Sequence, residues 1–215
     1  MADIQPYIIT IGRQLGSGGK QAGVLLSGRL GIPCYDKELI QMASKESGLC
    51  PDVFEQADER HRFSMFGGEI FSSRSSYFGN GRQNLLGGET LFKIQSDIIR
   101  NLAEQSPCIF VGRCADYILR EHPRLLRIFI SAEMTDRIRR LTDDLGISEK
   151  EARTRIEQTD RKRADYYNFF SNKTWGAAKS YDLCMNSSVF TMDEIADAVC
   201  SFATRRFGAV TPRPQ

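Results

Sequence analysis

The sequence lacks the features that would assign it to several specialised classes of protein. No window approaches the ~18 apolar residues that a membrane-spanning helix needs. The first ten residues have no basic segment followed by an apolar one, so we expect no signal peptide and a cytoplasmic location. The chain carries 29 Lys and Arg against 27 Asp and Glu, and this balance argues against a surface that coats nucleic acid polymers.

The sequence also lacks the cysteine spacing of a metal site. Its six cysteines form no CxxC pair and are not closely spaced with the two histidines, His61 and His122. We therefore predict no zinc site and no metal centre built from protein ligands alone. The two histidines are interpreted as surface or structural residues.

What the sequence does contain is an alternation of short apolar runs and helical patterns. Strands are predicted at Tyr7–Gly12, Ile32–Tyr35, Pro107–Gly112, Leu126–Ser131 and Tyr181–Asn186. Helices are predicted at Gln21–Leu30, about 36–47, about 51–60, Gly88–Gln105, Thr135–Leu145, Ser148–Tyr167 and Thr191–Phe207. Such alternation predicts an α/β fold of three α/β/α layers around a central parallel sheet.

A glycine-rich segment follows the first predicted strand and precedes the first predicted helix. It reads GRQLGSGGKQ, from Gly12 to Gln21. Glycines in this position let successive backbone amides turn toward one anion, and the helix N-terminus adds partial positive charge. We predict a phosphate-binding loop made of Gly12, Arg13, Gly16, Ser17, Gly18, Gly19, Lys20 and Gln21. The alternative is an ordinary glycine-rich turn with a surface lysine.

The loop departs from the pattern GxxxxGK[ST] at two positions. Gln14 stands where the first glycine belongs, and Gln21 replaces the hydroxyl residue that would hold Mg²⁺. Mg²⁺ is still expected with ATP, either through the Gln21 amide or mainly through phosphates and water.

Polar residues follow several predicted strands, and the carboxyl ends of parallel strands lie at one edge of a sheet. We therefore expect the segment 12–20, Asp36, the segment 112–114 and the segment 131–133 to be neighbours.

Seven segments in order resemble the cytidylate kinase-like family. They are ITIGRQLGSGGK, LGIPCYDKELI, VGRCADYIL, RIFISAEMTDRIRRL, DRKRADYYNFF, WG and YDLCMNSS. The resemblance covers most of the chain, from about Tyr7 to Phe202, excluding the insert at His61–Asn84. The resemblance implies a P-loop nucleoside monophosphate kinase fold with a helical lid. It implies a core at about 5–36, 86–134 and 180–207, an acceptor-binding region with a mobile insert at about 37–85, and a lid at about 135–179.

The resemblance also implies roles for single residues. Gly112-Arg113-Cys114 is similar to a Gly-Arg-Asp that contacts the acceptor, so Arg113 carries over and the Cys114 thiol does not. Asp160 and Arg163 are similar to residues that recognise CMP, and the alternative for Asp160 is pairing with a nearby arginine. Ile156 stands where the family has an arginine, with Arg155 beside it. Asp36 is either an acceptor or metal contact or the N-cap of the next helix.

Phosphoryl transfer mainly requires cations around the moving group. We predict Lys20, Arg137, Arg140 and Arg163 as catalytic, with Arg137 and Arg140 on one helix face and Arg139 pointing away. The alternative is that these arginines form a solvated face. The aromatic residues after Arg163 (Tyr166, Tyr167, Phe169, Phe170 and Trp175) either pack in the core or stack on a base. Those of the insert (Phe63, Phe66, Phe71, Tyr77 and Phe78) either close over the acceptor or form a homodimer contact.

The sequence therefore predicts an enzyme that moves a phosphoryl group from ATP to a nucleoside monophosphate, with CMP or dCMP favoured. Two alternatives remain at this point. One is a small-molecule kinase with a non-nucleotide acceptor. The other is a nucleotide-binding regulatory module with little turnover.

Overall fold

The structure is a computed structural model that describes residues 6–36, residue 42 and residues 88–208. The chain divides into two compact units, Met1–Asp36 with Ile99–Gln215 and Lys37–Ile98. Of the second unit, the described part is residue 42 and the first turns of one helix. The helices predicted at 36–47 and 51–60, the insert at 61–84 with its aromatic residues, and His61 lie outside the described residues.

A parallel five-stranded sheet organises the first unit. Its strands are β1 (Ile8–Arg13), β2 (Cys34–Tyr35), β3 (Cys108–Val111), β4 (Leu125–Ser131) and β5 (Leu183–Asn186). The spatial order is β2-β3-β1-β4-β5, and every pairing is parallel. The chain moves to one side of β1 and then crosses to the other, so the carboxyl end of β1 lies at a topological switch point, where such sheets bind ligands.

The helices of the described residues alternate with these strands. They are α1 (Gly19–Leu30), α2 (Gly88–Gln105), α3 (Ala115–Ile118), α4 (Met134–Leu145), α5 (Glu149–Ser171) and α6 (Met192–Phe207), with a 3₁₀ turn at Ala178–Ser180. The predicted α/β/α architecture is confirmed. Only α3 was missed, because four residues are too few to display a helical period.

Local signals set the ends of the longer helices. Thr191 and Glu194 form a reciprocal capping box at the start of α6, and the Ser148 side chain accepts a hydrogen bond from the Glu151 amide at the start of α5. Helix α5 continues past its predicted end at Tyr167 to Ser171. None of the helices in the described ranges is long and apolar enough to cross a membrane.

Apolar side chains cover one face of the sheet and join two of the helices to it. Ile9, Ile11 and Val111 are almost fully buried in one cluster with Leu26 of α1 and Val199 of α6. Alternate residues of a strand point to opposite faces, so the same β1 presents Ile8, Thr10 and Gly12 to the other side. This burial holds β1 and α1 together and fixes the loop between them.

A second, smaller cluster joins α4 to α5. Ile138 and Leu141 of α4 are buried with Ala152 and Ile156 of α5, and Leu15 of the loop packs against them. The loop after β1 is therefore part of the packing of the helix pair α4–α5.

Candidate active site

Four carboxyl-terminal strand ends meet around the loop after β1; those of β2, β3 and β4 were predicted from the sequence, and that of β5 was not. Arg13 Nη2 lies 3.2 Å from Asp36 Oδ1, just beyond β2. The Ala132 amide, beyond β4, donates to Gln14 Oε1 at 3.1 Å, and Ser187 Oγ, beyond β5, donates to the Ser17 carbonyl at 2.8 Å. A Cβ on Gly112, beyond β3, would lie 1.7 Å from Arg13 Nη1.

The loop enters α1 through two glycines in the left-handed region. Gly16 has φ of 77° and Gly18, the N-cap of α1, has φ of 78°. A Cβ at Gly16 would also lie 2.9 Å from the Arg137 carbonyl oxygen. No side chain caps α1, so its first-turn amides, which lack partners within the helix, remain available to an anion.

Side chains from outside the loop bind its carbonyl oxygens. The donor and acceptor pairs are Arg163 Nη1 to Arg13 O (3.2 Å), Arg137 Nε to Leu15 O (2.7 Å), Arg140 Nη1 to Gly16 O (3.0 Å) and Ser187 Oγ to Ser17 O (2.8 Å). Three of these donors are the arginines predicted to be catalytic. In this structure they hold the loop backbone.

Asp160 contacts the loop as well. Its Oδ1 accepts a hydrogen bond from the Leu15 amide at 2.8 Å, and its Oδ2 pairs with Arg137 Nη2. The Arg137 side chain is only 4% exposed, so this ion pair is shielded from solvent. Ile156, at the position where the resemblance implies an arginine, is fully buried, and Arg155 beside it is exposed.

The helix face predicted for Arg137 and Arg140 is confirmed. Both donate to the loop, and Arg140 also donates to Ser187. Arg139 instead pairs with Asp136 at 2.8 Å and is mostly exposed. The alternative of a wholly solvated face is therefore wrong for Arg137 and Arg140.

Arg13 fills a slot made by two glycines. A Cβ on Gly19 would lie 2.4 Å from Arg13 Cβ, and one on Gly112 would overlap its guanidinium. Burial lowers the pKa of Arg13 to about 10, with nearby Arg163 and Arg113 adding to the decrease and Asp36 opposing it. Arg13 therefore stays charged at neutral pH.

Lys20 differs from the loop arginines in its exposure. Its side chain is 64% exposed, and Nζ lies 3.7 Å from Asp36 Oδ2. Gln21, next along α1, is exposed too. Lys20 is thus an exposed charge beside the uncapped helix.

The turn after β3 has an unusual backbone. Gly112, Arg113 and Cys114 have φ of 77°, 60° and 53°. Consecutive left-handed residues other than glycine carry strain, which in proteins is concentrated at functional sites. Cys114 is buried at the N-cap of α3, so its thiol is not presented to solvent.

Arginines are crowded at this edge of the sheet. Burial lowers the pKa of Arg163, while Asp160 and Asp36 raise it and Arg113 lowers it further. Charges of both signs are thus close to one another at the predicted acceptor residues Asp36, Arg113, Asp160 and Arg163. An acceptor that binds beside them would enter a polar, largely cationic environment.

Two features of the site were missed by sequence reasoning. Gln14 belongs to the framework, because its amide donates to the Ile130 carbonyl and its side chain accepts from Ala132. The Tyr167 hydroxyl donates to Asp116 Oδ2 at 2.7 Å, and burial raises the pKa of that carboxyl. Neither Gln14 nor Tyr167 lies in a sequence pattern that would have indicated its hydrogen-bond partner.

The aromatic residues after Arg163, and His122, pack against other protein groups or lie at the surface. Tyr167 is buried, and Trp175 packs edge-on against Phe129 with ring centroids 5.3 Å apart, as core packing requires. Phe169 is exposed, and His122 Nδ1 accepts from the Arg124 amide at 3.3 Å. Within the described residues no group of three His, Cys, Asp or Glu could hold a metal ion.

Comparison with known proteins identifies the family. Residues 8–189 match the model of the cytidylate kinase-like family. The chain belongs to this family. A P-loop kinase fold therefore accounts for the strand order, the glycine loop and the helix pair α4–α5 in this cytidylate kinase-like protein.

Solved structures agree with the family on the fold. An uncharacterised protein from Eubacterium ventriosum has a TM-score of 0.71 at 25% identity, covering 94% of this chain and 100% of its own. A shikimate kinase from Bacteroides thetaiotaomicron has a TM-score of 0.52 at 15% identity, covering 91% and 97%. A gluconokinase from Sinorhizobium meliloti has a TM-score of 0.51 at 12% identity, covering 94% of each chain. No curated protein matches significantly.

Proposed function

We propose that this cytidylate kinase-like protein is an ATP-dependent phosphotransferase. The observation that carries the proposal is the start of α1, where a left-handed Gly18 leaves the helix uncapped and Lys20 follows at the switch point of the sheet. An uncapped helix N-terminus with converging amides and a lysine suits a polyphosphate.

In the proposed mechanism, the chain positions the donor and neutralises its charge. First-turn amides of α1 bind the phosphates, and the exposed Lys20 moves from Asp36 to the terminal phosphate as charge develops there. Arg137 and Arg140 hold the loop in shape, because their guanidinium groups are occupied by its carbonyls.

Mg²⁺ would enter with ATP and neutralise phosphate charge. Asp36 and Gln21 are oxygen donors that would hold it, and a site of one carboxylate plus phosphates and water is typical of Mg²⁺. The Asp36 carboxylate already contacts Arg13 and lies near Lys20, so it would share its oxygens between these cations and the metal.

The acceptor is proposed to bind between the turn after β3 and Asp36. Arg113 would pair with an anionic group of the acceptor, since a guanidinium fork matches phosphate or carboxylate geometry. Arg163, 27% exposed, would add a second cation; its Nη1 donates to the Arg13 carbonyl and lies 3.7 Å from Asp160. CMP and dCMP are the favoured acceptors because of the family.

One observation favours a second candidate, a kinase with a non-nucleotide acceptor. Cys114 is buried where the family resemblance implies an acceptor-binding aspartate, so the carboxylate that would contact CMP is missing there. Proteins described as a shikimate kinase and a gluconokinase share the fold, and the fold therefore does not require a nucleotide acceptor.

A screen for ADP release separates the candidates. The protein would be incubated with ATP, Mg²⁺ and one acceptor at a time: CMP, dCMP, UMP, AMP, GMP, shikimate or gluconate. Release with CMP or dCMP supports the first proposal, and release with shikimate or gluconate supports the second. ATP binding without release would support a regulatory module, and absence of ATP binding would refute both proposals.

The substitution Lys20→Ala tests the role of this lysine in the proposed mechanism. We expect it to reduce turnover at least ~100-fold, because it removes a cation from the transferring phosphate in a site where such charges contribute several kcal/mol. The exposed Lys150→Ala on α5 is the control and should leave turnover unchanged. Arg113→Ala should raise the KM of the acceptor more than that of ATP.

A further inference from the structure

The carboxylate of Asp160 is attached to the phosphate loop, although the family resemblance implies an acceptor contact. Its Oδ1 accepts from the Leu15 amide and its Oδ2 pairs with Arg137, while Arg137 Nε donates to the Leu15 carbonyl. Asp160 and Arg137 thus bind both backbone groups of Leu15. A residue held at its amide and its carbonyl has little freedom to turn.

This arrangement determines where the neighbouring amides point. The C=O and N–H of a trans peptide unit point in opposite directions. Since the Leu15 carbonyl is bound by Arg137, the Gly16 amide points away from α4. By the same rule, the Ser17 carbonyl bound by Ser187 turns the Gly18 amide away from the turn after β5.

The amides so directed are those without protein partners. Within the described residues neither the Gly16 amide nor the Gly18 amide donates a hydrogen bond, and both precede the uncapped first turn of α1. Left-handed backbone at both glycines is what allows the amides to converge there. The carbonyl oxygens of Leu15 and Ser17 therefore accept hydrogen bonds from the protein, whereas the amides of Gly16 and Gly18 are available to a ligand.

We infer that Asp160 is a positioning residue for donor binding: through Leu15 and Arg137 it directs the loop amides toward the polyphosphate. The inference rests on the proposed function, and it moves Asp160 from the acceptor side to the donor side. Removing Asp160 also leaves Arg137 buried without its counter-charge, which loosens the Leu15 carbonyl as well.

The substitutions Asp160→Ala and Asp160→Asn test this role. Alanine removes the contacts with Leu15, Arg137 and Arg163, the last at 3.7 Å, whereas asparagine retains an oxygen for the Leu15 amide and loses the charge that attracts the two arginines. The dissociation constants of ATP and of inorganic tripolyphosphate would be measured by calorimetry without acceptor, and that of CMP in a separate titration. Tripolyphosphate isolates the loop, because it has no base or ribose.

We expect Asp160→Ala to weaken ATP and tripolyphosphate at least ~10-fold, which corresponds to one charge-assisted hydrogen bond. Asp160→Asn should be intermediate at ~3-fold or more, and CMP affinity should change less than twofold for both. Glu157→Gln is the control, because Glu157 lies one turn earlier on α5, is exposed and pairs only loosely with Arg153. It should bind ATP like the parent protein.

The outcomes distinguish failure of the positioning role of Asp160 from failure of the proposed function. ATP affinity within twofold of the parent in both variants, or a selective loss of CMP affinity, would overturn the positioning role and restore the acceptor contact. If Asp160→Ala does not fold, the nearly isosteric asparagine variant decides. Failure of the unsubstituted protein to bind ATP or tripolyphosphate would instead refute the proposed function itself.

Discussion

The loop after β1 and the turn after β3 lie at the same edge of the sheet but are stabilised differently. The first is held by side chains of α4, α5 and the turn after β5, which donate to its carbonyls. The second has an unusual local backbone: three successive residues have positive φ, the Ala115 amide donates to the Gly112 carbonyl, and Gly112 packs against Arg13. The contacts described for the first region come from residues distant in sequence, whereas the second region is distinguished by its local conformation.

The largest effect is expected from removing a side chain that holds the loop after β1. Arg137→Ala removes the buried partner of Asp160 and a donor to Leu15, and we expect a loss of about 3 kcal/mol in the free energy of unfolding. Urea denaturation would measure it. Arg139→Ala, on the exposed face of the same helix, should change stability by less than about 0.5 kcal/mol. Equal effects of the two substitutions would contradict the comparison.

Backbone support in the turn after β3 can be tested with Gly112→Ala. The new Cβ would enter the space of the Arg13 guanidinium at a φ of 77°, so we expect a loss of about 1–3 kcal/mol. Gly28→Ala is the control, since nothing lies within 4 Å of its Cβ position in α1, and it should stabilise by about 0.5–1 kcal/mol. A neutral Gly112→Ala would indicate that the turn adjusts freely.

The smallest effect would sharpen the comparison at a hydrogen bond between the region after β3 and α5, from Tyr167 to Asp116. Burial raises the pKa of Asp116, and the hydrogen bond from Tyr167 opposes this shift. The pKa of Asp116 is thus higher in the folded protein than in the unfolded chain, where it is about 3.9, so this carboxyl stabilises the fold at pH values below the unfolded-state pKa. That stabilisation is lost as the pH rises through the pKa of the folded protein. Asp116→Asn should therefore gain stability relative to the parent protein across this window.

Tyr167→Phe provides the matched comparison for that prediction. It removes the hydrogen bond that lowers the pKa of Asp116, so the native pKa should rise further and the loss of stability should extend to higher pH. Both variants would be followed by thermal unfolding between pH 4 and pH 8. A pH dependence that is identical in all three proteins would show that Asp116 does not titrate as inferred.

Much of the fold followed from local sequence pattern. The bounds of Gly88–Gln105 match the observed helix, and the loop was located from glycines between a β-branched run and a helical period. The grouping of Asp36, Gly112 and Ser131 near the loop followed from the rule for parallel sheets. These inferences depend on neighbours in sequence or on general topology, which a single chain reveals.

The contacts within the site did not follow in the same way. Asp160 was assigned by resemblance, and its bond to Leu15 spans 145 residues, a distance at which no periodicity carries information. Gln14 looked like a defect in the phosphate-loop pattern, yet its side chain accepts from Ala132, which a glycine at that position cannot do. Side-chain partners across the sheet edge depend on packing that only the folded chain specifies.

The Arg13 side chain occupies a slot that exists only because positions 19 and 112 carry no Cβ. We therefore expect these three positions to vary together among homologues. A homologue that acquires alanine at either glycine must shorten residue 13, and would thereby lose the cation that pairs with the aspartate after the second strand. Covariation among the three positions would trace how this edge of the sheet was inherited.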